Sequence, residues 1–219
     1  VTRNEHRPRR YRSELRRDQA EQTRARVLSA AQGLFEERGY EGTSIAAIAR
    51  AAHVSAETVY ARFGNKRALL GELVHRAVRG DDRAPVPEQI GPRAVAAAVD
   101  QREQLRLFAA DISPRLERAA PLVTIVVGAA RSDPELAELL ATLRADRLKN
   151  LRHLVDALTS NGPLKLDADE SLDTVWALTS PELHQLLVRV RGWTMYRYRD
   201  WLATSLTALL LPDGGPDGT

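Results

Sequence analysis

Between residues 43 and 65, polar caps and apolar residues alternate in a way that fits two very short helices joined by a tight turn. Thr43 or Ser44 stands before a run in which Ile45, Ile48 and Ala49 recur at helical spacing, and Ser55 stands before a second run, 56–62. Small hydroxyl residues suit such places because their oxygen accepts a backbone N–H that the first helical turn leaves unpaired. Only Ala52, His53 and Val54 separate the first run from the second cap. Two short helices so connected make a helix-turn-helix. The motif needs an apolar inner face on its first helix and a small buried apolar residue in the turn, and Val54 fits the turn. Its second helix must keep one face in a core, here Val59 and Phe63. The opposite face then presents Thr58, Tyr60 and Arg62, with Ala56 and Glu57 nearby.

The rest of the chain reads as all-α. Leu and Ala are abundant, aromatic content is 5%, and alternating strand patterns are nearly absent. A helix over 22–38 buries Val27, Leu28, Ala31, Leu34 and Phe35, and Gly39 ends it in a left-handed cap. Asn65 caps a helix over 66–78 with Leu69, Leu70 and Leu73 inward. The charged, Pro-rich break of 80–91 marks a domain boundary. Beyond it, Pro114, Pro121, Pro134 and Pro181 are read as helix starts, because a first turn tolerates a missing N–H. Asp167 and Glu170 form a capping box. The expected helices are 92–112, 114–119, 121–131, 134–160, 168–178, 181–191 and 195–210. The 134–160 helix, about 40 Å long, carries Leu136, Leu140, Leu143, Leu151, Leu154 and Leu158 in one stripe and Leu139, Leu148 and Val155 off it. So wide an apolar arc suits contact on two sides. The expected organisation is a basic, mobile arm over 1–21, a first domain over 22–79, a larger helical domain over 80–211 and a disordered tail over 212–219.

Charge narrows the function classes. The formal net charge is +3, yet Arg3, Arg7, Arg9, Arg10, Arg12, Arg16, Arg17, Arg24 and Arg26 crowd the N-terminal stretch. A basic block of this kind suits a polyanion, either nucleic acid or an anionic membrane surface. It lacks the interleaved large apolar residues of a membrane-binding helix. The absence of cysteine excludes disulfides, cysteine–zinc sites and thiol nucleophiles. His75, His153 and His184 show no metal-ligand spacing, and neither a phosphate-binding glycine loop nor a nucleophile elbow is present. Neither an enzyme nor a cofactor or metal is therefore expected. The longest apolar run, 121–130, is too short to span a bilayer and the start lacks a signal-peptide core, so the expected location is the cytoplasm.

Several segments in register resemble a known family. They are Thr23 to Leu28; Phe35-Glu36-Glu37-Arg38-Gly39-Tyr40-Glu41-Gly42-Thr43-Ser44-Ile45; Ile48-Ala49; and Val54 through Thr58-Val59-Tyr60 to Phe63-Gly64-Asn65-Lys66. Together they are similar to the DNA-binding domain of tetracycline-repressor-type (TetR) regulators over about residues 22–75. Trp176 to Glu182, with Leu187-Val188 and Arg191-Gly192-Trp193, more loosely resembles one ligand-domain subtype of that family. The resemblance implies that Thr43, Ser55, Tyr60 and Lys66 contact phosphates. Glu57, Thr58 and Arg62 would face or flank base edges in the major groove, with Ser44 and Ala56 beside them. Two positions depart from the pattern. His53 stands where the family usually has glycine, which predicts an exposed residue with positive φ. Ala56 stands where many members have lysine or arginine, which predicts weak base reading there.

The same resemblance implies a homodimer through about 134–160 and 168–210, double-stranded operator DNA as partner, and a small apolar or amphipathic effector in the 80–211 domain. Leu105, Phe108, Val126, Arg131, Trp176, His184 and Leu187 are the expected effector contacts. Two rival readings stay open on the residues alone. One is a small-molecule sequestering protein with a vestigial helix-turn-helix. The other is a helical-bundle enzyme, for which no titratable cluster at recognisable spacing is found.

Overall fold

Every element of the computed structural model is helical, and it describes residues 7–80, 82 and 84–213, with side chains from Arg17 onward. The helices are α1 Arg7–Arg38, α2 Ile45–Ala51, α3 Ala56–Phe63, α4 Lys66–Arg79, α5 Ile90–Ala97, α6 Gln101–Ala129, α7 Pro134–Asn161, α8 Ala168–Leu178, α9 Pro181–Gln185 and α10 Met195–Leu210. A short 3-10 turn, Val86–Glu88, precedes α5, and a π-helical turn, Leu186–Val190, continues α9. Among the described residues there is no strand, as the composition predicts.

α1 begins at Arg7, within the segment expected to be a mobile arm, and runs without a break into the helix expected from Gln22. Between Arg9 and Gln32 there is neither Gly nor Pro, and Arg, Glu, Gln, Ala and Leu are strong helix formers. The arm's first residues, 1–6, and most of the tail, 214–219, lie outside the described residues.

Two compact units divide between Leu73 and Val74, inside α4, rather than at the Pro-rich break of 80–91. The last turn of α4 belongs to the second unit because α6 holds its carbonyls. Arg115 Nη1 donates to Val78 O and Arg118 Nε to Ala77 O. The core of the first unit joins Val27, Ala31 and Phe35 of α1, Ile48 of α2, Val59 of α3 and Leu69 and Leu70 of α4, all fully buried. In the second unit α10 supplies Tyr198, Leu202, Leu206 and Leu210 to a core shared with α6, α7 and α8.

The second unit corrects one expectation. The segments expected as 92–112, 114–119 and 121–131 are instead α5 and the single long α6, with Pro114 and Pro121 in its interior. Pro134 and Pro181 do start helices, and the difference lies in the preceding side chain. Asp133 Oδ1 accepts the N–H groups of Glu135 and Leu136, and Ser180 Oγ accepts that of Leu183. Ser113 is buried and donates its hydroxyl back to Ala109 O, and Ala120 has no capping group. A lost interior N–H bond is unfavourable. Burial of Ala109, Leu116, Ala119 and Leu122 on both sides of the prolines offsets it. A break does occur at Ala98, where Asp100 accepts the N–H of Glu103 and opens α6. The expected capping box is present, with Asp167 and Glu170 each accepting from the other's backbone.

The turn between α2 and α3 forms as predicted. His53 is exposed with φ +55, and Gly39 closes α1 at φ +68. An L-residue in the left-handed region carries a steric penalty between Cβ and the neighbouring carbonyl, least harmful for residues without a branched β carbon. In equilibrium denaturation, His53→Gly is expected to unfold at equal or higher denaturant, and His53→Val to lose about 1 kcal/mol. A Val variant as stable as the parent would contradict a left-handed turn.

Candidate nucleic-acid interface and ligand cavity

α3 has only eight residues, too few to be stable alone, so tertiary contacts hold it. Val59 and Phe63 are buried at its back. Arg24 of α1 lies with its guanidinium 5.0 Å from the Phe63 ring centre and pairs with Glu72 of α4 at 2.8 Å. Arg62 Nη1 donates to Ala20 O of α1 at 3.2 Å. With its back fixed, α3 turns its remaining side chains to solvent. Tyr60 is 53% exposed, Glu57 and Arg62 are exposed, and Ala56 and Thr58 are half-buried.

The caps are occupied as the sequence predicts. Ser44 Oγ accepts the N–H of Ala47, and Ser55 Oγ accepts that of Thr58 and shares a hydrogen bond with its hydroxyl. Both serines are exposed at helix starts, where unpaired N–H groups favour an anion. The Glu57 carboxyl is held below its usual range, first by its own backbone N–H and then by Ser55.

Two residues expected on phosphate are engaged within the protein instead. Thr43 is buried, and its hydroxyl is directed at Leu34 O and Gly39 O, 3.0 and 2.9 Å away. It braces the link from α1 to α2 and presents no hydroxyl to a duplex. Lys66 is half-buried, donates to Tyr40 O and Thr43 O at 2.8 and 3.0 Å, and lies 3.9 Å from the Tyr40 ring centre. It ties the start of α4 to the same loop while keeping its positive charge near that surface.

The second unit holds a cavity of about 1080 Å³ among α4, α5, α6, α7 and the α8–α9 link. Its apolar wall includes Phe108, Ile112, Leu116, Val123, Leu143 and Trp176. Of the seven expected effector contacts, only Phe108 and Trp176 line it. Leu105 is packed in the core and Val126 is fully buried. Leu187 packs against the core, and Arg131 lines a separate small pocket with Val127 and Ala137. His184 is buried, edge-on to Tyr198 at 4.8 Å and 3.5 Å from the Glu117 carboxylate. Burial lowers its pKa, with Glu117 opposing the shift and Arg189 reinforcing it.

Sequence reasoning missed the polar part of the cavity wall. Arg115 is buried and forks onto Asp111 at 2.8 and 2.9 Å. Arg147 lies over the Trp176 ring, 4.0 Å from its centre, and donates to Trp176 O and Thr179 Oγ1. Burial pushes its pKa down to about 10, against the opposing attraction of Glu182. A signal was present: Arg147 interrupts the apolar stripe of α7 midway between Leu143 and Leu151. Among the described residues no helix is long and apolar enough to cross a membrane. None of those residues form a group of His, Cys, Asp or Glu suited to hold a metal ion.

Comparison with known proteins agrees with this geometry. Residues 27–73 match the family model described as bacterial regulatory proteins, tetR family. The chain is 27% identical over 202 residues to the uncharacterized HTH-type transcriptional regulator YdeS of Bacillus subtilis (87% of this chain, 96% of that protein). Its fold is similar to that of NalD, the secondary repressor of the MexAB-OprM multidrug efflux pump in Pseudomonas aeruginosa. That likeness has 24% identity and a TM-score of 0.66 over 89% of this chain and 99% of that one. FadR of Bacillus subtilis, solved in complex with stearoyl-CoA, shares the fold at 16% identity and a TM-score of 0.63, covering 83% and 96% of the two chains. The α2–turn–α3 segment lies inside the residues that match this tetR family model, and the second unit is all-helical among its described residues.

Proposed function

We propose that the protein is a homodimeric repressor that holds a near-palindromic operator with α3 and lets go when a small apolar or amphipathic molecule enters the cavity of the second unit. The observation that carries this reading is the course of α4. Its first residue, Lys66, bonds the loop before α2, and its last turns supply Val74, His75, Val78 and Arg79 to the cavity wall. A ligand that moves the end of this helix acts on the helix that supports α3. Such coupling requires the ligand to bind the released state more tightly, and about 3 kcal/mol of difference changes operator affinity about 150-fold.

On the DNA side, Thr58, Tyr60 and Arg62 face the major groove, with Ala56 and Glu57 beside them. Ser44, Ser55 and the charge of Lys66 serve the phosphates. The Arg-rich start of α1 follows the backbone or an adjacent minor groove. Two copies pair through 134–160 and 168–210, and large apolar side chains left exposed there support this face: Leu148, Leu186, Val190 and Leu209 are 40%, 55%, 74% and 48% exposed. Twofold symmetry then sets two α3 helices about 34–36 Å apart. The repressor works in the cytoplasm, where its operator is.

Selecting duplexes from a random pool with the purified protein tests the reading. An enriched pair of half-sites about one helical turn apart is expected, and recovery of sequences with no shared element would contradict it. On the selected duplex, Arg62→Ala is expected to cost about 1–3 kcal/mol of affinity. Thr43→Val is expected to lose about 1–3 kcal/mol of folding stability while binding DNA normally. The reverse assignment, with Thr43→Val stable but deficient in binding, would overturn the internal role given to Thr43. The double variant Leu186→Asp/Val190→Asp is expected to sediment as a monomer and lose the mobility shift. A dimer that persists in that variant would remove α9 and its π-helical turn from the interface.

A further inference from the structure

Two arginines of the cavity wall, the buried Arg115 and the half-buried Arg147, differ in one respect. Arg115 is neutralised by the Asp111 carboxylate and donates its remaining Nη1 to Val78 O. The partners of Arg147 are a carbonyl, a hydroxyl and an aromatic ring, all neutral. Its Nη2 makes both hydrogen bonds, and a guanidinium carries five N–H donors. Nε and Nη1 therefore have no partner among the described residues. No described carboxylate lies within ion-pairing distance of Arg147, and Glu182 acts on it only from farther away.

An unneutralised cation in a low-dielectric wall is unfavourable unless something completes it. Removal from water lowers the arginine's pKa to about 10, which leaves it charged at neutral pH. The Trp176 ring beneath it and the two bonds from Nη2 fix the guanidinium plane. Both forks of the guanidinium include Nη2, so the N–H groups that remain, on Nε and Nη1, each donate singly, and a charge-assisted bond of this kind favours a carboxylate or a phosphate oxygen. The surrounding charges are mixed, with cations in excess. Arg79, Arg144 and Lys149 also line the cavity, against Asp146 and Glu182, with Asp111 already paired. The rest of the wall is apolar, from Phe108 and Ile112 to Leu143 and Leu151.

We infer that the effector is an amphipathic anion, with an apolar body along α6 and α7 and one carboxylate or phosphate oxygen received by an N–H of Arg147 that Trp176 and Thr179 leave unused. This inference rests on the reading of the cavity as the effector site.

Calorimetric titration of the full-length protein with decanoate, decyl phosphate, decan-1-ol and decylammonium tests it, because these probes share a chain and differ only in the head. Decanoate or decyl phosphate is expected to bind about 10- to 100-fold more tightly than decan-1-ol, and whichever of the two leads identifies the head. In Arg147→Met that preference should vanish while decan-1-ol binds as before, which also shows that the cavity has kept its shape. Arg147→Lys should retain a preference for the anion, because the charge carries it, weakened several-fold because the ammonium is not held by Trp176 O and Thr179 Oγ1 in the same place. Equal binding of decanoate and decan-1-ol by the parent, preference for decylammonium, or an undiminished anion preference in either variant would overturn the anchor and leave the cavity reading standing. If none of the four probes binds the parent protein, the anchor and the cavity reading fall together.

Discussion

A helix of eight residues keeps its shape only while its back is buried, and the proposed reading of DNA by α3 depends on that. Val59 and Phe63 give α3 its apolar back. Each buried side chain of this size contributes about 1.5–3 kcal/mol, which offsets the poor intrinsic stability of so short a helix. Polar braces complete the support. Arg24 stacks over Phe63 and reaches Glu72, so α1, α3 and α4 are tied at one point. Thr43 and Lys66 tie the loop between α1 and α2 from within. Of the remaining side chains, Tyr60 and Arg62 are exposed and Thr58 is half-buried, with Arg62 also reaching Ala20 O of α1.

The proposed release by ligand rests on α4, whose residues fall in both units. This helix starts among the braces of the first unit and ends with its carbonyls held by Arg115 and Arg118. Arg115 is also part of the cavity wall, through its fork with Asp111. Anything that rearranges the wall of the second unit therefore acts on the last turn of α4 directly. The cavity is apolar over most of its surface, and the half-buried guanidinium of Arg147, with no carboxylate paired to it among the described residues, is the basis of the proposed preference beyond size. Specificity of this kind is sharp because a ligand without the matching group leaves the polar site unpaired.

The first unit was almost fully legible in the sequence because its signals are local. Ser44, Ser55 and Asn65 each cap the helix that follows them, and the left-handed His53 could be predicted from its place in the turn. Thr43 was misassigned because a hydroxyl beside a helix start looks alike whether it faces solvent or the chain's own carbonyls. The second unit was harder to read. Pro114 and Pro121 carry the same signal as Pro134 and Pro181, and only the three-dimensional surroundings of Ser113 and Ala120 show that α6 continues through them. A cavity is a gap between helices, and spacing does not reveal which of two neighbouring apolar residues borders it. Leu105 and Phe108 are both buried in the core on α6, yet only Phe108 also borders the cavity. Arg147 stood in plain view as a charge within a leucine stripe, and its meaning required the neutral partners that α8 places around it.

The central claim is that the exposed face of α3 meets base edges in the major groove, twice, on one side of a duplex. Guanine-N7 methylation interference measures this directly, because the modified atom lies in the major groove. The account predicts two clusters of interference about one helical turn apart, each weakened in Arg62→Ala. Interference at neither cluster, with binding governed by backbone contacts or the minor groove alone, would contradict it.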